Sequence, residues 1–242
     1  QEMQLTASDG SDLSLQPTEE LAFAGAHLSA YSYIYDKQMA TTSRDLQAVY
    51  TMKMPDGDDI RMTMWMKGEM ERQVFQTLSP MTEGLSRLKE MPYSVKDQPT
   101  LTFVARQKGE AWNRPFVAVY EPSSVKEPGS IASVDYPEVV CTEAGSHVAV
   151  RVVHKDGHKD LILSSDSPMH TLKTSDMTAR CVYALYGQSA VGDTYFLGNG
   201  TFLKTEEAEM AVTAGSGDVL LEPAGDGWNY SASVPFTWTY RG

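Results

Sequence analysis

The sequence predicts an all-β protein: a large antiparallel β-sandwich, supersandwich-like, with little helix. Apolar and polar residues alternate with period two along most of the chain, whereas the 3.6-residue period of an amphipathic helix is nearly absent. Turn-forming clusters of Gly, Asp, Asn and Pro separate the alternating runs at short intervals, as in a meander of hairpins. At 242 residues the chain can bury a substantial core without dividing. No internal repeat, low-complexity tract or linker interrupts it, so one domain over 1–242 is expected.

The elements follow in order. Thr18 to His27 reads either as a short helix or as a strand entering the sheet. Ala48, Tyr50, Met52 and Met54 share one face of a strand. Pro55-Asp56-Gly57-Asp58 then supplies a turn, and Met62, Met64 and Met66 alternate with Thr63, Trp65 and Lys67 on the return. A second hairpin joins Val148, Val150 and Val152 to Leu161 and Leu163 through Asp156-Gly157. A third is expected between Thr194–Leu197 and Thr201–Lys204 around Gly198-Asn199-Gly200. A fourth is expected between Glu209–Thr213 and Val219–Glu222 around Ala214-Gly215-Ser216-Gly217. Trp238 and Tyr240 close a last strand. About a dozen strands at this spacing favour a sandwich over a parallel sheet.

Nine of the 13 methionines lie between Met39 and Met91. Strand alternation spaces thioethers along a line, whereas a copper site needs several sulfurs at one point, so these residues are read as core filler. The two cysteines, Cys141 and Cys181, have no CxxC spacing. They are either one bridge between strands or two small buried side chains.

Thirty-two acids against 20 bases give a net charge of −12. No basic stripe suits a nucleic-acid duplex, so no nucleic-acid partner is expected. A hydrophobic content of 41% and a mean hydropathy of −0.33 suit a soluble globular chain. No apolar run reaches the length of a membrane-spanning helix. The chain opens on Gln with no charged and apolar leader, so any export signal is expected outside this sequence.

The richest stretch for recognition is Arg106 to Pro122. Arg106, Lys108, Glu110, Trp112 and Arg114 fall within nine residues and lead into an apolar strand. Guanidinium forks suit carboxylate or sulfate, and an indole offers a flat face to a sugar ring. The plainer reading packs Trp112 on a neighbouring sheet and pairs the arginines with Glu110 and Glu121. The long irregular stretch Leu78 to Thr100 carries Arg87, Lys89, Tyr93 and Lys96, the most basic loop of an acidic chain. It reads either as a binding loop or as a surface excursion capping one end of the sandwich. The candidate substrate-binding set is therefore Arg106, Trp112, Arg114, Tyr93 and Arg87.

Other chemistry is sparse. His154, His158, Asp156 and Asp160 surround the second hairpin turn and are of metal-ligating type. Four residues across a tight exposed turn do not point inward together, so a solvated turn is expected, with no metal and no cofactor. There is no GxSxG elbow, catalytic-looking cysteine or phosphate-binding glycine loop. Nothing singles out a carboxylate pair for glycoside hydrolysis among the acids.

Ile60–Gly68 (IRMTMWMKG) together with Gln98–Pro122 (QPTLTFVARQKGEAWNRPFVAVYEP) resembles the C-terminal β-sandwich of heparinase II/III-type polysaccharide lyases. The resemblance is a pattern of several strands over about half the chain. It implies an accessory domain, catalytically silent alone, packed against an N-terminal (α/α) toroid that supplies most catalytic groups. It also implies acidic, uronate-containing polysaccharide substrates cut by β-elimination, and a periplasmic or extracellular location. Such an elimination needs a base for the proton α to the carboxyl, a group neutralising that carboxylate, and an acid for the leaving oxygen. No catalytic residue transfers to this chain, because the resemblance covers the sandwich alone.

Overall fold

The computed structural model describes residues 1–20, 34–79, 99–109 and 112–241. Among these residues there are eighteen strands and no helix, and every strand pairing is antiparallel. The expected all-β class is the observed one. Thr18 to Glu20 are irregular, and the rest of the Thr18–His27 segment lies outside the described residues. Contacts gather into two compact units, one of Gln1–Gly109 with Ala118–Gly129 and one of Glu110–Val117 with Ser130–Gly242.

The first unit holds β1 (Glu2–Ala7), β2 (Gln16–Pro17), β3 (Tyr35–Thr42), β4 (Leu46–Met52), β5 (Ile60–Met66), β6 (Arg72–Ser79), β7 (Thr100–Arg106) and β8 (Ala118–Ser124). They form two four-stranded sheets, ordered β1-β4-β5-β8 and β2-β3-β6-β7. The expected first hairpin is present: Ala48 faces Met64 and Tyr50 faces Met62 across β4 and β5, and Gly57 takes φ 79 at the turn. Leu5, Leu46, Ala48, Met64 and Met66 of one sheet meet Val74, Ala40 and Phe103 of the other in a shared core. Met64 and Met66 are buried there, but Met52, Met62 and Met70 are exposed, so the core-filler reading holds for only part of the methionine group. The residues between 80 and 98, including Arg87 and Tyr93, lie outside the described residues.

The second unit is one ten-stranded sheet. It comprises β9 (Ile131–Asp135), β10 (His147–His154), β11 (Lys159–Ser165), β12 (Thr171–Lys173), β13 (Thr178–Ser189), β14 (Gly192–Lys204), β15 (Ala208–Val212), β16 (Gly217–Ala224), β17 (Gly227–Ala232) and β18 (Phe236–Tyr240). The expected second hairpin is β10–β11, turning at Gly157 with φ 90. The long strands β13 and β14 form the spine. β11 and β12 share the outer edge of β13, while β16 and β15 share the outer edge of β14.

Two expected hairpins are corrected here. Gly198-Asn199-Gly200 does not reverse the chain; β14 runs straight through it as a bulge. Asn199 takes φ 44, and its N–H donates to Asp218 Oδ1 at 2.8 Å. The pairing register shifts beside it in both β13 and β16. A methyl at Gly200 would overlap Leu197 and stand 2.7 Å from Cys181 Cβ, so the glycine serves close packing rather than a turn. The fourth expected hairpin also fails, because β15 and β16 do not pair with each other. Both pair antiparallel with β14, so 213–216 carries the chain from one stretch of that edge to the next. Turn-type residues signalled a break in pairing, and a bulge and a step use the same residues as a reversal.

From β14 the sheet therefore branches, one arm being β16–β17 and the other β15–β18. The core on this face includes Leu163, Ala184, Tyr195, Leu197, Leu203, Met210, Val219 and Leu221. Each large apolar side chain so buried contributes roughly 1.5–3 kcal/mol. Cys181 is buried in it and Cys141 packs against it; both are free thiols. The cysteines are thus unbridged, but only Cys181 is buried; Cys141 is half-buried and its thiol donates to Glu143.

Candidate functional site

The two arms of the second unit bend over their shared core until their aromatic side chains touch. Trp228 of β17 and Trp238 of β18 meet edge to face with centroids 5.3 Å apart. Trp238 also stands edge-on to Tyr195 at 5.0 Å, although β15 separates β18 from β14 within the sheet. Tyr195 in turn stacks on Tyr186 at 5.1 Å. Further out, Tyr230 meets Phe236 at 5.7 Å and Trp228 meets Tyr240 at 5.3 Å. Between the arms lies a mainly apolar cleft of about 530 Å³, lined by Leu221, Trp228, Tyr230, Phe236 and Trp238 among others. Tyr230, which lines the cleft, is 70% exposed, so its ring is open to solvent.

The polar end of this aromatic array is fixed by Asp193. Its Oδ2 accepts from the Tyr186 hydroxyl at 3.0 Å and the Tyr195 hydroxyl at 3.1 Å. Gln188 Nε2 donates to the Tyr186 oxygen at 2.9 Å. Burial, and then the Asp193 charge, push both phenols well above their ordinary range. They stay protonated and hold the rings in place as hydrogen-bond donors. Tyr186 and Gln188 also border a second, polar cleft of about 430 Å³ with Lys173, Asp176, Lys204 and Glu206. Lys204 is held there by Glu209 at 2.9 Å, and Asp176 is held by Arg151. That cleft carries balanced charge rather than a surplus of positive charge.

The residues expected from the sequence fall as follows. Arg106 ends β7 in the first unit. Its Nε donates to Gln73 at 2.8 Å, its Nη2 pairs with Glu20 at 2.5 Å, and its guanidinium lies 5.3 Å over the Phe75 ring. One edge of the fork that would meet an anion is thus taken by a carboxylate of the chain itself. The acid is Glu20, far away in sequence; Glu110 lies outside the described residues. Trp112 belongs to the second unit and is 81% exposed, so it does not pack on a neighbouring sheet. Arg114, also in the second unit, is partly buried. Arg87 and Tyr93 lie outside the described residues.

The aromatic cleft was missed by sequence reasoning. Its signal was present: Trp228 and Tyr230 stand two apart, as do Phe236, Trp238 and Tyr240. Period-two aromatics place each set on one face of its own strand; that the two faces meet is decided by the bend of the sheet, since β17 and β18 do not pair. Among the described residues, one group is of metal-ligating type and converges: His154, His158 and Asp160.

Comparison with known proteins adds one finding. Over 167 residues, 67% of its length, the chain is 29% identical to an endo-acting ulvan lyase of Formosa agariphila. It spans only 19% of that relative. No protein-family profile matches the chain, and no solved structure matches it. The likeness is thus to part of a polysaccharide lyase. The heparinase II/III-type assignment is finer than that and rests on the strand pattern alone.

Proposed function

We propose that this chain is an accessory β-sandwich portion of a polysaccharide lyase, holding an acidic glycan for catalytic groups carried elsewhere. The supporting observation is its 29% identity with a stretch of an ulvan lyase several times longer than the match. On this reading the full enzyme is of heparinase II/III type. An N-terminal (α/α) toroid performs β-elimination on a uronate-containing polysaccharide, outside the cytoplasm. On the same reading the exposed indole of Trp112 and the guanidinium groups of Arg114 and Arg106 contact the polymer, with Arg87 and Tyr93 assisting. The physical logic is stacking on a sugar face together with forked donors to carboxylate or sulfate.

The test follows the absorbance of the 4,5-unsaturated uronate on a panel of uronic-acid polysaccharides. It is run with this chain alone and with the complete gene product. Activity confined to the complete product supports the accessory role, and activity of the chain alone refutes it.

A second reading is a carbohydrate-binding module that needs no catalytic partner. It is favoured by the cleft between Trp228, Tyr230, Phe236 and Trp238, whose rings suit the apolar face of a pyranose. It predicts that the isolated chain retains ulvan in affinity electrophoresis and that Tyr230→Ala releases it. Silence of both proteins in the lyase assay, with binding kept, would select this reading.

A further inference from the structure

The turn joining β10 to β11 gathers three ligand-type groups that polysaccharide recognition does not use. His154 closes β10, His158 stands just past the turn, and Asp160 is the second residue of β11. Their side chains converge, with His154 Nε2 at 3.1 Å from Asp160 Oδ2 and His158 Nε2 at 2.9 Å from Asp160 Oδ1. The two imidazoles lie with centroids 5.0 Å apart. One ligand atom from each residue falls within 4.8 Å of the other two. Asp156, the fourth residue of this group in the sequence, is used otherwise: its Oδ1 accepts the His158 backbone N–H at 3.0 Å and shapes the turn.

We propose that His154, His158 and Asp160 bind one divalent transition-metal ion of the zinc class. Two imidazole nitrogens and one carboxylate oxygen are a donor set that such ions take, with a fourth position left to solvent. Tetrahedral bonds of about 2.0–2.1 Å place ligand atoms roughly 3.3 Å apart. The two imidazole–carboxylate contacts are near this length, though to different Asp160 oxygens, and small side-chain shifts would bring the three ligands together. The surroundings support the assignment at two further points. Ser130 Oγ lies 3.2 Å from His154 Nδ1; with an ion taken on Nε2, the Nδ1–H would donate to that hydroxyl and fix the ring. Gly187 of β13 stands directly across from Asp160; a methyl there would come within 3.1 Å of Asp160 Oδ1 and 3.6 Å of His158 Nε2. The neighbouring strand thus leaves space above the ligand atoms. The side chains are only partly exposed, with values of 21%, 38% and 23% for His154, His158 and Asp160. An ion there would pin both sides of the hairpin turn. This inference is independent of the polysaccharide reading.

The experiment titrates Zn²⁺ into the metal-free chain near neutral pH, following heat by calorimetry and melting temperature by circular dichroism. We expect one ion per chain and a raised melting temperature. Co²⁺ in its place is expected to give the intense visible bands of a tetrahedral site. Asp160→Asn and His154→Ala should abolish saturable binding. His158→Asn, a milder change on the more exposed side, keeps the test valid if either of those variants fails to fold. Ser130→Ala should weaken binding about tenfold by releasing the orientation of His154. No saturable uptake by the unmodified chain at millimolar zinc overturns the proposal, as does uptake that persists in the folded Asp160→Asn or His158→Asn variant. Either result would leave the three residues as a hydrogen-bonded cluster.

Discussion

Trp228 and Trp238 touch edge to face at 5.3 Å, yet they sit on the outermost strands of two arms that leave β14 at different points along its length. Their contact fastens the two arms to each other over the Tyr195 ring, which both indoles meet. Truncating either one therefore removes core packing and also loosens the bend of the sheet. Trp238→Ala is expected to cost about 3 kcal/mol, at the lower end for a large aromatic because the ring is only partly buried. Equilibrium denaturation in urea measures this. A loss below about 1 kcal/mol would show that the arms hold together without it.

Gly200 tests the bulge. Leu197 can turn away from an added methyl only within a filled core, and the Cβ of Cys181 is fixed by its backbone. Gly200→Ala is expected to destabilise the chain by roughly 1–3 kcal/mol through overpacking. Alanine at Gly215, where φ is 71 and open space surrounds the site, strains only the backbone and should cost about 1 kcal/mol. Comparing the two denaturation midpoints separates packing from conformation.

Alkali should weaken this protein from a defined point. The phenol of Tyr50 is pushed up to about 12 by burial and then by Tyr120, and those of Tyr186 and Tyr195 are raised by burial and then by Asp193. In the unfolded chain all three lose their protons near about 10. Above that pH the unfolded state sheds protons that the folded state keeps, so stability falls as pH rises. Below about pH 10 the contribution is complete. The melting temperature should be flat with respect to these groups up to about 9 and then decline steeply. A flat profile to about pH 11 would contradict the raised phenols.

Trp112 and Arg106 should respond differently to truncation. With 81% of its surface exposed, Trp112→Ala should shift stability by less than about 0.5 kcal/mol. On the proposed function it should still lower affinity for ulvan. Arg106→Ala breaks a partly exposed pair with Glu20 and a hydrogen bond to Gln73, for a cost of about 1 kcal/mol or less. Its effect on polysaccharide affinity should be the smaller, since Glu20 already occupies one edge of the guanidinium. Affinity electrophoresis on ulvan-containing gels ranks the two variants, and the reverse order would move the binding contact to the first unit.

Much of this architecture was legible in the residues because strand alternation is local. The β4–β5 and β10–β11 hairpins could be read from alternating apolar residues and a Gly-containing turn, since both signals lie within a few residues of the structure they cause. The same signals misled at Gly198-Asn199-Gly200 and at 214–217. There β13 and the far stretch of β14 decide whether a glycine cluster reverses, bulges or steps the chain, and those partners lie many residues away.

The candidate sites divide in the same way. Sequence alone showed that Arg106, Trp112 and Arg114 are of a type to meet an acidic sugar, and that His154, His158 and Asp160 share one turn. Tertiary structure tied Arg106 to Glu20 across 86 residues, left Trp112 exposed and drew three side chains of the turn to one point. It also brought Trp228 and Trp238 together from separate arms of the sheet. Residue type and alternation are properties of the chain read a few positions at a time. Side-chain convergence depends on pairing register, bulges and the bend of the sheet, which follow only when distant strands have met.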